Sequence, residues 1–288
     1  MPRTQPVDGF SLAYDRSGAG PAVVLLHGWP GSREDFRLVA PLLEGGADVV
    51  VPDLRGFGES DRHDVDPDEG YSGAAQARSI TGLLDELALG PVVLAGYDIG
   101  SRIAQAVAQA SPDRVRALVI APPAPGAGRR VLEPAAQAEF WYQHFHRLPV
   151  ARQRLDGDPD AVRSYLRHFW THWSGPSSAP SDDDLERLTA RYARPGAFTS
   201  SIGWYRAGQG IVARSLAERA PEPADLIRVP VSVLWPGHDP LFPPEWGDRL
   251  GEFFTDVTVT PLPDAGHFVP IEAPDAFASA IRSVLDGA

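Results

Sequence analysis

Residues 94–104 read LAGYDIGSRIA. The apolar run PVVLAG, from Pro91, has the composition of a buried strand. A helical pattern follows at once, with Ile103 and Val107 repeating at i, i+4 until Ser111-Pro112 ends it. Between them lies G-x-Asp-x-G, a strand-to-helix bend with glycines where backbone must pass close to backbone and Asp98 at its tip. Two roles are open to a carboxylate there. It can cap the helix, a position aspartate favours, or it can act as a nucleophile, because it is already ionised at neutral pH and needs no base to activate it. The pentapeptide alone does not choose between them.

Outward from this bend the chain alternates short β-like runs with helical segments, which implies a mostly parallel sheet. The strands are read at Ala22–Leu26, Asp48–Val51, Val92–Gly96, Ala117–Ala121, Val231–Trp235 and Val257–Pro261, and the helices near 33–44, 74–88, 99–110 and 274–285. The rhythm breaks after PPAPG (Pro122 to Gly126), where the sequence turns helical, charged and aromatic until the proline-rich PEPADLIRVP. The economical reading is a helical insertion between two parallel strands, with a core of residues 1–127 and 222–288 and a cap of 128–221. Within the insertion SSAPSDDD (Ser177 to Asp184) reads as a loop leading into a helix. Four of the seven tryptophans (Trp141, Trp170, Trp173, Trp204) fall there. Each is a candidate core residue, and together they suit the aromatic wall of a small-molecule pocket.

Composition narrows the chemistry. With 288 residues the chain has room for one α/β domain carrying an inserted cap. It has no cysteine, which excludes thiolate nucleophiles and thiolate metal sites, and its 26 basic residues are all arginine, which excludes a lysine Schiff base. A net charge of −12 argues against nucleic acid and anionic membranes as partners. No apolar run approaches the roughly 18 residues of a membrane span, and the N-terminus lacks an apolar signal core, so a cytoplasmic protein is expected. None of the eight histidines forms a metal-ligand motif, and no cofactor or metal is expected.

Three further motifs weigh on Asp98. VSVLWPGHDPLFP puts Asp239 just past a strand, where open α/β sheets build their sites, and PLPDAGHFVPIEAPDAF puts His267 in a loop after the last strand. His238 competes with Asp239 within the same loop, but an acid is what holds a catalytic imidazole, and APPAPG after the preceding strand offers none. LLHGWPGS (25–32) supplies a backbone N–H at Trp29 that pairs with that of Ile99 as a candidate oxyanion hole, with His27 read as holding the turn. PDLRGFGESDR (Pro52 to Arg62) lies at the same sheet edge, its charges read as bracing the site.

The order Asp98, Asp239, His267, with HGWPGS, DLRGFGESDR, GYDIGSR, GHDPLFP and AGHF, resembles the α/β-hydrolase superfamily over essentially the whole chain. It is most similar to the branch of epoxide hydrolases and haloalkane or haloacetate dehalogenases that use an aspartate nucleophile. Epoxide hydrolases of this kind carry two cap tyrosines, in motifs resembling F-x-Y-Q…P and N-W-Y-R, that protonate the epoxide oxygen. FWYQHFHRLP from Phe140 and SIGWYRAG from Ser201 put Tyr142 and Tyr205 on those positions, with Gly203 replacing the usual asparagine. Haloalkane dehalogenases resemble D-W-G at the elbow, where this chain has Ile99. Of the two arginines in the haloacetate pattern D-R-x-x-R only Arg102 has a counterpart, and a salt bridge near the helix start is the expected role for it.

The resemblance therefore implies an epoxide hydrolase of α/β-hydrolase fold with a helical cap. Asp98, Asp239, His267, Tyr142 and Tyr205 are expected to be catalytic, Trp29 and Ile99 to form the oxyanion hole, and Trp141, Phe145, Trp170, Trp173 and Trp204 to bind substrate. A bulky or aromatic epoxide is the expected partner, with a bacterial natural-product intermediate in view, and a homodimer is compatible with the sequence. The alternatives are a dehalogenase with the same nucleophile and a ligand receptor on the same scaffold.

Overall fold

The computed structural model describes residues 1–176 and 181–287. Its centre is a seven-stranded sheet in the order β1-β3-β2-β4-β5-β6-β7, from β1 (Tyr14–Gly18), β2 (Ala22–Leu26), β3 (Asp48–Pro52), β4 (Val92–Gly96), β5 (Val115–Ile120), β6 (Val231–Pro236) and β7 (Val257–Leu262). All neighbours are parallel except β1 and β3. The central strands β2 and β4 are runs of Val, Leu and Ala because helices cover both faces; Val23 to Leu26 and Val92 to Ala95 are inaccessible to solvent.

The strands read from the sequence fall on β2 to β7, and the helices at 74–88, 99–110 and 274–285 fall on Gly73–Glu86, Ile99–Ala110 and Pro274–Asp286. The stretch near 33–44 is instead a 3₁₀ turn, Arg33–Phe36, followed by a single helical turn, Ala40–Leu43. β1 was not expected: YDRSG has no apolar alternation, and only Tyr14 of its five residues is buried. Its pairing with β3, Tyr14 opposite Pro52 through Gly18 opposite Asp48, makes it a strand.

Among the described residues, every element between β5 and β6 is helical, from the 3₁₀ turn Gly128–Leu132 to the helix Ile211–Ala217. Of the loop expected at Ser177 to Asp184, residues 177–180 lie outside the described residues; Ser181 caps the helix Asp182–Tyr192 by accepting from the Asp184 N–H. These helices are fastened to the loops at the C-terminal ends of the strands. The Tyr192 hydroxyl accepts from the Gly31 N–H at 2.8 Å and donates to the Gly31 carbonyl at 2.9 Å, while the Trp173 carbonyl accepts from the His267 N–H at 2.8 Å. Arg37 pairs with Asp184 at 2.8 Å, and Arg191 pairs with Glu34. Among the described residues no helix is long and apolar enough to cross a membrane.

The bend after β4 is fixed by how closely the helix Ile99–Ala110 crosses β2. A Cβ on Gly100 would overlap the carbonyl carbon and oxygen of Leu26, which are backbone and cannot swing aside. Gly100→Ala is therefore expected to cost about 3 kcal/mol, through forced separation of strand and helix. Urea unfolding checks this; a midpoint equal to that of the unaltered protein would remove close crossing as the reason for this glycine.

Candidate active site

Four loops at the C-terminal ends of parallel strands meet over β4. β2 leads to Trp29, β4 to Asp98, β6 to Asp239 and β7 to His267, the crevice in which open α/β sheets place their sites. Asp98 has φ 49° and ψ −123°, a left-handed conformation that costs a non-glycine residue of order 1–3 kcal/mol. The bend is held by the Asp98 N–H, which donates to the Pro122 carbonyl at 3.0 Å, and by Gly28, where a Cβ would stand 2.5 Å from the Cβ of Asp98. Asp98 occupies the N-cap position of the helix, yet its side chain makes no capping hydrogen bond. Its Oδ1 accepts from the Trp29 N–H at 2.8 Å, and its Oδ2 lies 3.5 Å from His267 Nε2.

On its other side His267 Nδ1 meets Asp239 Oδ2 at 2.8 Å, and Asp239 Oδ1 accepts from the Leu241 N–H at 2.9 Å. Asp98 and Asp239 are 5% exposed and His267 is 1% exposed. Burial alone would lower the proton affinity of His267, but the charges of Asp239 and then Asp98 outweigh it and raise its pKa to about 10. In the resting protein the imidazole is thus a cation between two anions. His27, by contrast, is held neutral by burial: its Nε2 accepts from the Leu54 N–H at 3.1 Å, so Nδ1 carries the proton and donates to the Gly28 carbonyl at 2.9 Å. In PDLRGFGESDR, Asp53 pairs with Arg33 and accepts from the Glu59 N–H at 2.9 Å, tying that loop to the H-G-W-P turn.

A cavity of about 20 Å³ sits above Asp98, lined by Asp98, Ile99, Tyr142, Tyr205, Trp204 and Phe242 among others. The two tyrosine rings meet edge-on, centroids 5.5 Å apart, and Trp29 stacks on Tyr142 at 5.6 Å. Burial, and behind it the charge of Asp98 for both, raise the pKa of each phenol above its ordinary value. Gln143 Nε2 donates to the Tyr142 hydroxyl at 3.2 Å.

The aromatic residues expected to bind substrate divide. Trp204 lines the cavity. Trp173 packs on His267, centroids 5.0 Å apart, and on Tyr142 at 5.2 Å, which makes it a buttress. Trp170 packs on Phe268 at 5.2 Å. Trp141 and Phe145 do not line this cavity: on the helix Trp141–Arg147 the pair Tyr142 and His146 is buried, while Trp141 is 40% exposed and stacks on Phe169. Arg102 is corrected too, since among the described residues its side chain makes no ion pair or hydrogen bond.

Sequence reading missed Tyr97 and Asp35. The Tyr97 hydroxyl donates to Asp35 Oδ2 at 2.6 Å, behind His267, and burial raises the pKa of Asp35 to about 7. Tyr97 precedes Asp98, but no local pattern announces a partner so far away in sequence. Gln143 and Phe242 stood inside quoted motifs, FWYQ and DPLFP, without a role.

The charge arrangement around His267 is measurable. Its ¹⁵N ring signals should titrate near pH 10, and Asp239→Asn should bring the midpoint down by about one unit or more. A midpoint at or below that of a free imidazole in the unaltered protein would contradict the two-carboxylate environment.

Known proteins share the sequence and fold over nearly the whole chain. The chain is 29% identical to the soluble epoxide hydrolase of Corynebacterium sp. strain C12 over 93% of its own length and 91% of that protein's. It is 28% identical to haloalkane dehalogenase 2 of Mycobacterium tuberculosis over 94% and 90%. Among solved structures, one described as a novel epoxide hydrolase from metagenomes of hot environments superposes with a TM-score of 0.85 at 25% identity, covering 100% of this chain and 98% of that one. The model of the α/β hydrolase fold family matches residues 21–274, and the chain belongs to that family.

Proposed function

We propose that the protein hydrolyses epoxides to vicinal diols through an ester on Asp98, with residues 128–221 acting as a cap over a core of residues 1–127 and 222–288. The observation that carries this reading is that one small cavity is lined by a carboxylate and two buried phenols, while an imidazole backed by a second carboxylate stands behind that carboxylate. A receptor has no use for such a set, and a departing halide needs no acid, whereas a ring-opened alkoxide does. The relatives named as epoxide hydrolases support the same choice.

On this route an oxygen of Asp98 attacks an epoxide carbon, and the carbon–oxygen bond of the ring breaks. Tyr142 and Tyr205 hold the departing oxygen, and one of them gives it a proton. Esterification removes the charge of Asp98, so His267 loses one of the two carboxylates that kept it protonated; its proton returns to the tyrosinate through solvent. The now neutral His267 takes a proton from water, and the hydroxide adds to Cγ of Asp98. The N–H groups of Trp29 and Ile99 hold the resulting oxyanion. Collapse of this intermediate restores the carboxylate, expels the second diol oxygen, which takes the proton of the added hydroxyl, and leaves His267 protonated as at the start.

Among the described residues, the bulky or aromatic epoxide expected from the tryptophan content has Trp204 and Phe242 as aromatic walls beside the tyrosines, with Ile99 and Ile211 adding aliphatic surface. The side groups such walls favour are apolar.

Two experiments test the reading. Asp98→Ala should abolish turnover, and His267→Gln should stop the cycle at the ester, visible as an adduct by intact-protein mass spectrometry. An inactive His267→Gln protein that never gains mass in the presence of an epoxide would overturn the covalent route. Tyr142→Phe combined with Tyr205→Phe should lower kcat for ring opening by a factor of about 10² or more, the worth of a general acid, while sparing any halide displacement. The opposite pattern would make the protein a dehalogenase.

A further inference from the structure

The H-G-W-P turn after β2 and the bend after β4 belong to separate loops, yet the proposed route needs the Trp29 N–H beside Asp98 throughout the cycle. At rest the carboxylate itself holds that N–H, Asp98 Oδ1 accepting at 2.8 Å. Once Asp98 is an ester its charge is gone, and a neutral carbonyl is a weaker acceptor. Among the described residues one other side-chain hydrogen bond joins the turn to the bend: the Tyr97 hydroxyl donates to Asp35 Oδ2 at 2.6 Å. We propose that Tyr97 and Asp35 are positioning residues for hydrolysis of the ester, their bond keeping the Trp29 N–H in register with Asp98 after the carboxylate has lost its charge.

The pair is built into both loops. Tyr97 directly precedes Asp98, and Asp35 lies in the 3₁₀ turn Arg33–Phe36; both side chains are buried. Asp35 Oδ2 also accepts from the Ser32 N–H at 3.1 Å, while the Ser32 hydroxyl accepts from the Glu34 N–H at 3.3 Å, so the acceptor is anchored within its own turn. The turn rests on the Tyr97 ring through the glycines on either side of Trp29-Pro30. A Cβ on Gly28 would stand 2.9 Å from Tyr97 Cε2, and one on Gly31 would stand 2.8 Å from the Tyr97 hydroxyl and overlap Asp35 Oδ2. The other fastenings of the turn lead elsewhere. Tyr192 ties Gly31 to the cap, and the Arg33 N–H donates to Asp53 Oδ1 at 2.9 Å, in the loop after β3.

Neither Tyr97 nor Asp35 lines the cavity above Asp98, so neither is placed to exchange a proton with a substrate there. A separation of 2.6 Å is typical of a hydroxyl on an ionised carboxylate. Burial works against that charge and raises the pKa of Asp35 to about 7, with the Tyr97 hydroxyl and then the Ser32 N–H opposing the rise. An apolar pair could fill the same space without burying a carboxylate, but apolar contact is non-directional, whereas a hydrogen bond fixes the register of two loops.

This role rests on the ester route proposed above, so the test reads the turn and the chemistry separately. Tyr97→Phe keeps the ring under the turn and removes only the hydroxyl. Ester formation and ester hydrolysis are timed by rapid quench and intact-protein mass spectrometry with styrene oxide. Hydrolysis should slow by about tenfold or more while formation is little changed, so that the ester accumulates at steady state. Asp35→Leu should do the same, and the double variant should lose no more than either single change, because both act through one bond. Asp35→Asn, whose carboxamide oxygen still accepts from Tyr97 and Ser32, should hydrolyse the ester faster than Asp35→Leu. Hydrogen exchange followed by NMR reads the turn with no substrate present: the Trp29 amide should exchange about tenfold or more faster in Tyr97→Phe, with the amides of β4 unchanged. An unchanged Trp29 amide, or equal slowing of both steps, overturns the proposal. Faster exchange at Trp29 in a protein that forms no ester with any epoxide leaves the Tyr97–Asp35 bond as the holder of the turn and removes the hydrolase reading instead.

Discussion

A buried imidazolium between two buried carboxylates is the interaction on which the rest of the site depends. Removing three ionisable groups from water is costly, and the cost is tolerable here because the charges alternate: Asp239, His267, Asp98. The chain devotes hydrogen bonds to keeping that row straight. The Leu241 N–H fixes the far carboxylate, the Trp29 N–H fixes the near one, and the Trp173 carbonyl holds the backbone of His267 from the cap side. Loss of His267 would leave two buried carboxylates facing each other with no cation between them, so the row is also a strong constraint on how the loops can be arranged.

The backbone frame follows from that row. To bring Asp98 level with the H-G-W-P turn, β4 must bend at once into a helix that crosses β2 closely. Space for the crossing exists only because Gly28 and Gly100 have no side chain. Asp98 holds an unfavourable φ of 49° within this frame. Its conformation lifts the carboxylate clear of the helix end, which answers the question posed by GYDIG: the side chain stands where a cap would, but bonds to Trp29 instead.

The core of this arrangement was legible in the sequence because each part of it is local. Parallel strands buried on both faces are continuous apolar runs, and β2 and β4 start and stop on the residues read for them. The bend, the acid after β6 and the histidine after β7 each lie within one short motif. What was not legible depends on phase or on distant partners. Trp141 and Phe145 were grouped with the pocket because they are aromatic, but the angular position of a short helix between loops is set by packing, and Tyr142 and His146 took the inner face. The bond from Tyr97 to Asp35 spans 62 residues, and β1 is a strand only by pairing with β3. Arg102 was expected in a salt bridge, as most partly buried arginines are, and its lack of one appears only when its neighbours are known.

The proposed cycle is coordinated by a single charge. Asp98 as an anion raises the proton affinity of His267 on one side and of Tyr142 and Tyr205 on the other. While that charge is present, the histidine is a cation unable to act as a base and the phenols keep their protons, so water in the cavity is not activated. Ester formation cancels the charge, and all three proton affinities fall together. The phenols become better acids as the alkoxide appears, and the imidazole becomes free to take a proton from water once there is an ester to hydrolyse. The order of the two half-reactions then follows from the electrostatics of one carboxylate, and no movement of the cap is needed to time them.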